Sequence, residues 1–193
     1  EIMYYLTWSE GFRPGLLNRP VGSSNADGSY TVKPEVDTDE ITNFEFGWKT
    51  ITRDGQLRFN GSAFYVDVTG LQSTIFDPSI VNLFFSDNAA DATIKGVEGD
   101  FTYYTNVEGL SVAGAFSFLD TEITEKLVPT GDVIVGEELA FAPGMQGNIR
   151  VRQEFGMAGG NLGHFQLQFT YSDDSYSDIM EPNKARQASY SYV

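Results

Sequence analysis

The sequence predicts an all-β protein, an antiparallel transmembrane β-barrel segment of about eight strands. Three observations predict it. Apolar residues recur at every second position in segment after segment, the segments are long, and short and long connections alternate between them. A period of two belongs to a strand with two unlike faces. About 9–11 tilted residues cross the hydrocarbon layer of a membrane, and segments such as 41–51 and 110–123 provide that or more. Strands of soluble proteins run to about 5–6 residues.

The opening strand sets Ile2, Tyr4, Leu6 and Trp8 against Tyr5, Thr7 and Ser9. The second sets Thr42, Phe44, Phe46, Trp48 and Thr50 against Asn43, Glu45, Gly47 and Lys49. The third, 57–69, is less tidy: Leu57, Phe59, Ala63 and Tyr65 lead into Asp67, while Phe64, Val66 and Val68 fill the other side. A β-bulge that shifts the phase is one reading of this stretch, and the sequence does not place it. In the fourth strand Val97, Phe101 and Tyr103 alternate with Glu98, Asp100 and Thr102. In the fifth, Leu110, Val112, Phe116 and Phe118 alternate with Ser111, Ala113, Ala115 and Ser117. The sixth pairs Ile149, Val151 and Phe155 with Asn148, Arg150, Arg152 and Glu154. The seventh is the clearest, with Phe165, Leu167, Phe169 and Tyr171 against His164, Gln166, Gln168 and Thr170. An incomplete eighth ends the chain.

The connections separate a membrane barrel from a soluble sandwich. Arg53-Asp54-Gly55-Gln56 reads as a tight hairpin, because Asp-Gly supplies the positive φ angles such turns require. Asn106-Val107-Glu108-Gly109 is a second short turn, and 156–163 is a Gly-rich third. Between them lie long polar connections at 11–36, 76–91, 125–139 and 173–187. Antiparallel neighbours therefore carry every short turn at one end and every long loop at the other. That is the layout of outer-membrane barrels, with short periplasmic turns and long extracellular loops. Tyr4, Trp8, Trp48, Tyr65, Tyr103, Tyr104 and Tyr171 are candidates for interfacial girdles.

Composition agrees. The chain is 41% hydrophobic with a mean hydropathy of -0.23, which looks soluble. A membrane barrel, however, shows lipid only alternate residues. The 15 Phe, 10 Tyr and 20 Gly favour pleated structure. Zero Cys excludes disulfides and thiolate metal sites. A net charge of -15 excludes a nucleic-acid partner, since phosphate binding needs a positive surface. The acidity is read as solvation of exposed loops. Glu1-Ile2-Met3-Tyr4-Tyr5 does not read as a signal peptide. The expectation is a chain that begins inside a longer protein or has lost its targeting segment.

Candidate chemistry reduces to a polar inner face. Asn43, Glu45, Lys49, Glu98, Asp100, Arg150, Arg152, Glu154, His164, Gln166 and Gln168 share the faces opposite the apolar rows and are expected to line a lumen. Glu98 and Asp100, two residues apart, invite a paired-carboxylate reading; they are read instead as lumen acids balanced by Lys49, Arg150 or Arg152. His164 is the one His, with no Cys beside it, so no transition-metal site and no catalytic residue is assigned. The acidic clusters Asp173-Asp174, Asp178 and Glu181, and Glu35, Asp37, Asp39 and Glu40, lack the spacing of an EF-hand loop; they are read as solvated loops, with weak divalent binding at the rim as the alternative. No Gly-rich phosphate loop or nucleophile elbow occurs, and no cofactor is expected.

Several phrases resemble a known family. Ser9-Glu10-Gly11-Phe12-Arg13-Pro14-Gly15, followed by Leu17-Asn18, resembles the strand-to-loop segment of TonB-dependent receptor barrels. The run Glu40 to Thr50 (EITNFEFGWKT), then Gly55 and Leu57-Arg58-Phe59-Asn60-Gly61-Ser62-Ala63-Phe64-Tyr65, is similar to the family's strand–turn–strand unit. Asn88-Ala89-Ala90-Asp91-Ala92 leading into Gly96-Val97-Glu98-Gly99 is similar to its next strand entry. Glu138-Leu139-Ala140-Phe141-Ala142-Pro143 resembles its approach to a later strand, although Gly144-Met145 departs from the usual continuation.

The resemblance covers nearly the whole chain in order. It implies a 22-stranded barrel in the bacterial outer membrane, blocked by a plug domain and energised through TonB. On that reading residues 1–193 are an internal piece of the C-terminal half, without plug or closing strand. The partners implied are outer-membrane lipid, the receptor's own plug and through it TonB, and a small ligand such as an iron chelate. Uptake of a scarce nutrient, a ferric siderophore, is the function implied, with no catalytic step. Ligand contacts are expected at Arg13, Asn18, Arg19, Tyr30, Phe76, Phe84 and Phe85, although those aromatics serve equally to pack loop on loop. Two alternatives stand beside it: a stand-alone small barrel acting as adhesin or anchor, and a soluble glycan-binding β-sandwich.

Overall fold

The period-two segments become strands that pair in strict chain order. The computed structural model describes residues 1–18, 33–52, 54–76, 84–128 and 132–193. Eight strands form one antiparallel sheet: β1 (Ile2–Arg13), β2 (Asp39–Ile51), β3 (Leu57–Phe76), β4 (Phe84–Tyr104), β5 (Leu110–Lys126), β6 (Met145–Gly156), β7 (Leu162–Ser172) and β8 (Tyr190–Tyr192). β1 and β8 are the two edges of this open sheet. Two small ribbons stand apart, Leu16–Leu17 with Glu35–Val36 and Ser175–Tyr176 with Arg186–Gln187. Among the described residues no helix is long and apolar enough to cross a membrane, which says nothing of crossing by strands.

The turns 52–56, 105–109 and 157–161 lie together at one end of the sheet. At the tight hairpin, Gly55 takes φ 72° and its N–H donates to the carbonyl of Thr52, as its Asp-Gly sequence requires. The long connections lie at the other end, with one correction. The expected loop 76–91 is mostly strand: β3 and β4 run on as a hairpin beyond the rest of the sheet, joined through 77–83. The reason is local pairing, since Leu71 to Phe76 finds partners in Phe84 to Ala90.

A second correction concerns the phase of β3. Register with β4 is unbroken from Leu57↔Tyr103 to Val68↔Ala92, and shifts only between Val68 and Gln72. Gly70 sits at that irregularity with φ 68°, a conformation that costs glycine little. Its N–H donates to Asp91 at 2.7 Å and its carbonyl accepts from Asn88 at 2.6 Å. Phe64, Val66 and Val68 therefore do lie on the polar face.

One row of partners crosses the sheet: Tyr4, Trp48, Gly61, Gly99, Phe116, Gly147 and Tyr171. Trp48 is three residues from the short-turn end of β2, whereas Tyr171 is nine from that end of β7. A climb of six residues over five strand steps, at about 3.3 Å per residue and about 4.8 Å per strand, is a tilt of roughly 40°. Transmembrane barrels need about 35–45°.

The apolar face carries aromatic rows. Tyr4 stacks on Phe46 with centroids 5.9 Å apart, and Trp48 and Phe59 are 5.9 Å apart. Glycines on this face are covered by rings: a Cβ on Gly61 would lie 2.4 Å from Trp48, and one on Gly99 2.9 Å from Phe116. Of the seven expected girdle residues, six share this face. Tyr104, paired with Ser111, lies on the other, because it follows Tyr103 by one residue in an unbroken ladder.

Toward the long-loop end the apolar rows stop at charged residues. Asp67 follows Tyr65 on β3, Lys95 lies beyond Val97 on β4, and Asp120 follows Phe118 on β5, all on the apolar face. Beyond that line a compact outer core forms from Ile75, Phe85, Ala89, Ala90, Ile123, Val128, Val133, Ile179 and Met180, with Leu71, Leu139 and Ala140 packed on it. It joins the β3–β4 hairpin to the connections 127–144 and 173–189.

Candidate functional site

Two surfaces carry functional side chains: the polar face of the sheet and the mouth at its long-loop end. Register settles the first. Asn43, Glu45 and Lys49 of β2 share a face with Glu98 and Asp100 of β4. Arg150, Arg152 and Glu154 of β6 continue it, opposite Gln168, Gln166 and His164 of β7. All the expected lumen residues thus meet on one surface, spread over four strands, and their placement there follows from the successive registers from β2 to β7.

Local pairs organise this face. The Tyr5 hydroxyl donates to Glu45 at 2.7 Å, and its ring lies where a Cβ on Gly47 would be. Asn60 donates to Asp100 at 3.1 Å, Ser62 donates to Glu98 at 3.4 Å, and Arg58 pairs with Asp100 at 3.4 Å. Arg152 pairs with Glu154 on its own strand at 2.8 Å. Lys49, Asn60, Glu98 and Asp100 border one recess, and Asp100, Asn148, Arg150 and Gln168 another. Glu98 and Asp100 engage different neighbours, Ser62 for the first and Asn60 with Arg58 for the second. Among the described residues no group of His, Cys, Asp and Glu is arranged to hold a metal ion.

The mouth is organised by buried polar side chains whose importance the sequence did not signal. Asp39, 3% exposed, receives Arg13 through Nε at 3.0 Å, through Nη2, and through the backbone N–H of Arg13 at 3.2 Å. Arg13 Nη2 also donates to the carbonyl of Gln72 at 3.0 Å. Gln72 Nε2 donates to the carbonyls of Pro14 and Asp37 at 3.1 and 3.0 Å. Asn88 accepts from the N–H of Asp37 and donates to its carbonyl, both at 2.9 Å. Asn18 donates to the carbonyls of Lys33 and Ser86 at 2.8 Å each and accepts from the N–H of Ser86 at 2.9 Å. Both flanks of the first long connection are thereby fastened to the β3–β4 hairpin.

The expected ligand contacts fare unequally. Arg13 and Asn18 stand at the mouth but are engaged by the fold, although the Arg13 side chain remains 54% exposed. Phe85 is 5% exposed and packs in the outer core. Phe76 and Phe84 are register partners at the tip of the hairpin. Arg19 and Tyr30 lie outside the described residues.

Further round the mouth, the side chain of half-buried Lys184 is 8% exposed and pairs with Glu137 at 2.7 Å and Glu181 at 2.8 Å, whose own side chains are 42% and 44% exposed. Its ammonium also lies 4.6 Å from the Tyr176 ring centroid. Burial pulls its pKa down, but the hydrogen bonds to both carboxylates outweigh it and hold the group above the ordinary lysine value. Arg186, donating to Asp174 at 2.7 Å, holds that carboxyl below the usual range. A lone lysine among Asp173, Asp174, Asp178 and Glu181 was the one sequence signal for this tie.

The family profile described as TonB dependent receptor-like, beta-barrel matches residues 1–193. No curated protein matches the chain. Solved structures do. The ferric yersiniabactin uptake receptor FyuA from Yersinia pestis superposes with a TM-score of 0.71 at 17% identity, covering 98% of this chain and 26% of that one. The siderophore receptor PiuA from Acinetobacter baumannii gives 0.65 at 17%, and BauA, the ferric preacinetobactin receptor of the same organism, 0.65 at 18%. Each covers 98% of this chain and is itself covered over 26%. At these identities the likeness is one of fold, and the chain spans about a quarter of the length of the receptors it matches.

Proposed function

Because this chain belongs to the TonB-dependent receptor β-barrel family, a family of transport receptors, we propose that it is part of the barrel wall and mouth of an outer-membrane receptor for a scarce nutrient, a ferric siderophore. On this reading the chain lies in the outer membrane of a Gram-negative bacterium with its aromatic rows in lipid. Residues 1–193 belong to a single barrel domain, and the polar face meets the receptor's plug, through which TonB supplies energy.

The observation that supports this most is the division of the sheet into an apolar and a polar face, in one register and at roughly 40° of tilt. A wall with those faces has lipid on one side and a polar interior on the other. Backbone groups left unpaired in lipid cost several kcal/mol each, so the open edges of β1 and β8 call for further strands. A stand-alone barrel would instead need β1 and β8 to pair, and they are the separate edges of the sheet. The choice of an iron chelate rests on the structural neighbours, whose names are those of siderophore receptors.

The test uses the full-length receptor and its gene. Purified receptor is titrated with ferric citrate, a ferric hydroxamate, a ferric catecholate, cobalamin and a maltooligosaccharide, and a deletion strain is grown under iron limitation. Binding of one ferric chelate and loss of growth on it is the expected result. Binding of cobalamin or sugar alone would retain the receptor and discard the substrate. Failure to bind any of them, with unchanged growth, would remove the reading.

A further inference from the structure

The connections 127–144 and 173–189 are far apart in sequence, and each could fold by itself. They do not. Val133 pairs with Met180 in an isolated antiparallel bridge, the N–H of Glu181 donates to the carbonyl of Asp132 at 2.9 Å, and the N–H of Phe141 donates to the carbonyl of Tyr176 at 2.7 Å. Val133, Ile179 and Met180 are buried side by side in the outer core. Lys184 completes the union. Its ammonium takes one carboxylate from each connection, Glu137 from the first and Glu181 from its own, and lies over Tyr176.

A buried ammonium is costly unless paired and hydrogen-bonded. Here the cost is met by two carboxylates and a ring; Glu181 and Tyr176 share the connection of Lys184, so when the loops part the ammonium loses Glu137. The carboxylates of Glu137 and Glu181 also lie within 2.8 Å of the same nitrogen. Without a cation between them they would repel. The one other cation of this connection, Arg186, is committed to Asp174.

We infer that Lys184 is a positioning residue that couples the two connections, so that 132–144 and 173–187 hold their backbone order as one unit. This goes beyond the uptake reading and does not depend on it. A coupled pair presents one preformed surface at the mouth, rather than two loops that a ligand must order separately.

The experiment is backbone hydrogen exchange, followed by mass spectrometry, on the full-length receptor in detergent micelles without ligand. Lys184→Met is expected to speed exchange about tenfold in both 132–144 and 173–187, with the strands β3 to β5 unchanged. Lys184→Arg should restore protection in both. Glu137→Gln added to Lys184→Met removes the repulsion and should recover part of the protection, which loss of packing alone would not allow. If Lys184→Met fails to fold, Glu137→Gln alone must still speed exchange in both segments. Faster exchange confined to 173–187, or none in either, would overturn the inference. No ligand is used, so that failure would be distinct from a failure of the uptake reading.

Discussion

Asp39 is 3% exposed and receives three hydrogen bonds from Arg13. A carboxylate so buried is tolerated because it is paired, and removing the guanidinium leaves it only backbone donors. Arg13→Ala should therefore lower the stability of the full-length receptor by about 1–3 kcal/mol, the Arg13 side chain being half-exposed. A thermal melt of Arg13→Ala, Asp39→Ala and the double variant checks this: the double should lose less than the two singles combined. Arg13 and Asn18 stood out in the sequence as ligand contacts, yet their partners Asp39 and Ser86 lie 26 and 68 residues away. Separation of that kind is invisible to local reading. Charge at the mouth also sets a pH window. The pKa of Lys184 is raised, so its contribution is complete below the ordinary value of 10.5 and is lost as pH climbs through the raised value. The pKa of Asp174 is lowered, so its contribution is present above 3.8 and is lost as pH falls through the lowered value. Hydrogen exchange of 173–187 should thus stay protected at pH 9, and its Asp174–Arg186 tie should outlast pH 3.8 on acidification.

At the scale of the strand, alternation was legible because a period of two is written in every segment, and the Asp-Gly turn because its dihedral angles demand those residues. The reach of β3 and β4 was not. Residues 84–91 look like loop because Ser86, Asp87 and Asn88 are polar, but Asp87 and Asn88 are buried and bonded at the mouth rather than solvated. The bulge was suspected but not placed: Asp67 seemed to break the phase, when it only marks where the apolar row ends and Gly70 carries the irregularity. Ring-covered glycines give a direct test of strand packing. Gly61→Val puts a side chain where Trp48 lies and within 2.8 Å of the Glu98 carbonyl. It should cost about 1–3 kcal/mol and shift the tryptophan emission of the receptor. Gly11→Ala, with nothing within 4 Å of its Cβ, should be close to neutral in the same melt.

Across the whole molecule, the apolar band has a height. From Leu57 to Tyr65 it covers eight residue steps before Asp67, roughly 26 Å along the strand and roughly 20 Å along the membrane normal at 40°, compared with about 25 Å for known barrels. Charge placed inside that band should be far more damaging than charge placed beyond it. Phe116→Arg should destabilise the folded receptor by about 2–4 kcal/mol, whereas Glu122→Arg, on the same face but past Asp120, should cost about 0–1 kcal/mol; denaturant titration in lipid vesicles compares them. The two-faced wall is the central claim, and spin labels along β2 test it most directly. The segment has no Cys, so single cysteines at positions 43 to 49 of the full-length receptor in vesicles would be the only label sites it contains. Collision rates with lipid-soluble oxygen should peak at positions 44, 46 and 48 and fall at 43, 45, 47 and 49, with a water-soluble nickel chelate never peaking at the even positions. Equal oxygen access at both parities, or a peak at the odd positions, would contradict a wall with lipid on its aromatic face.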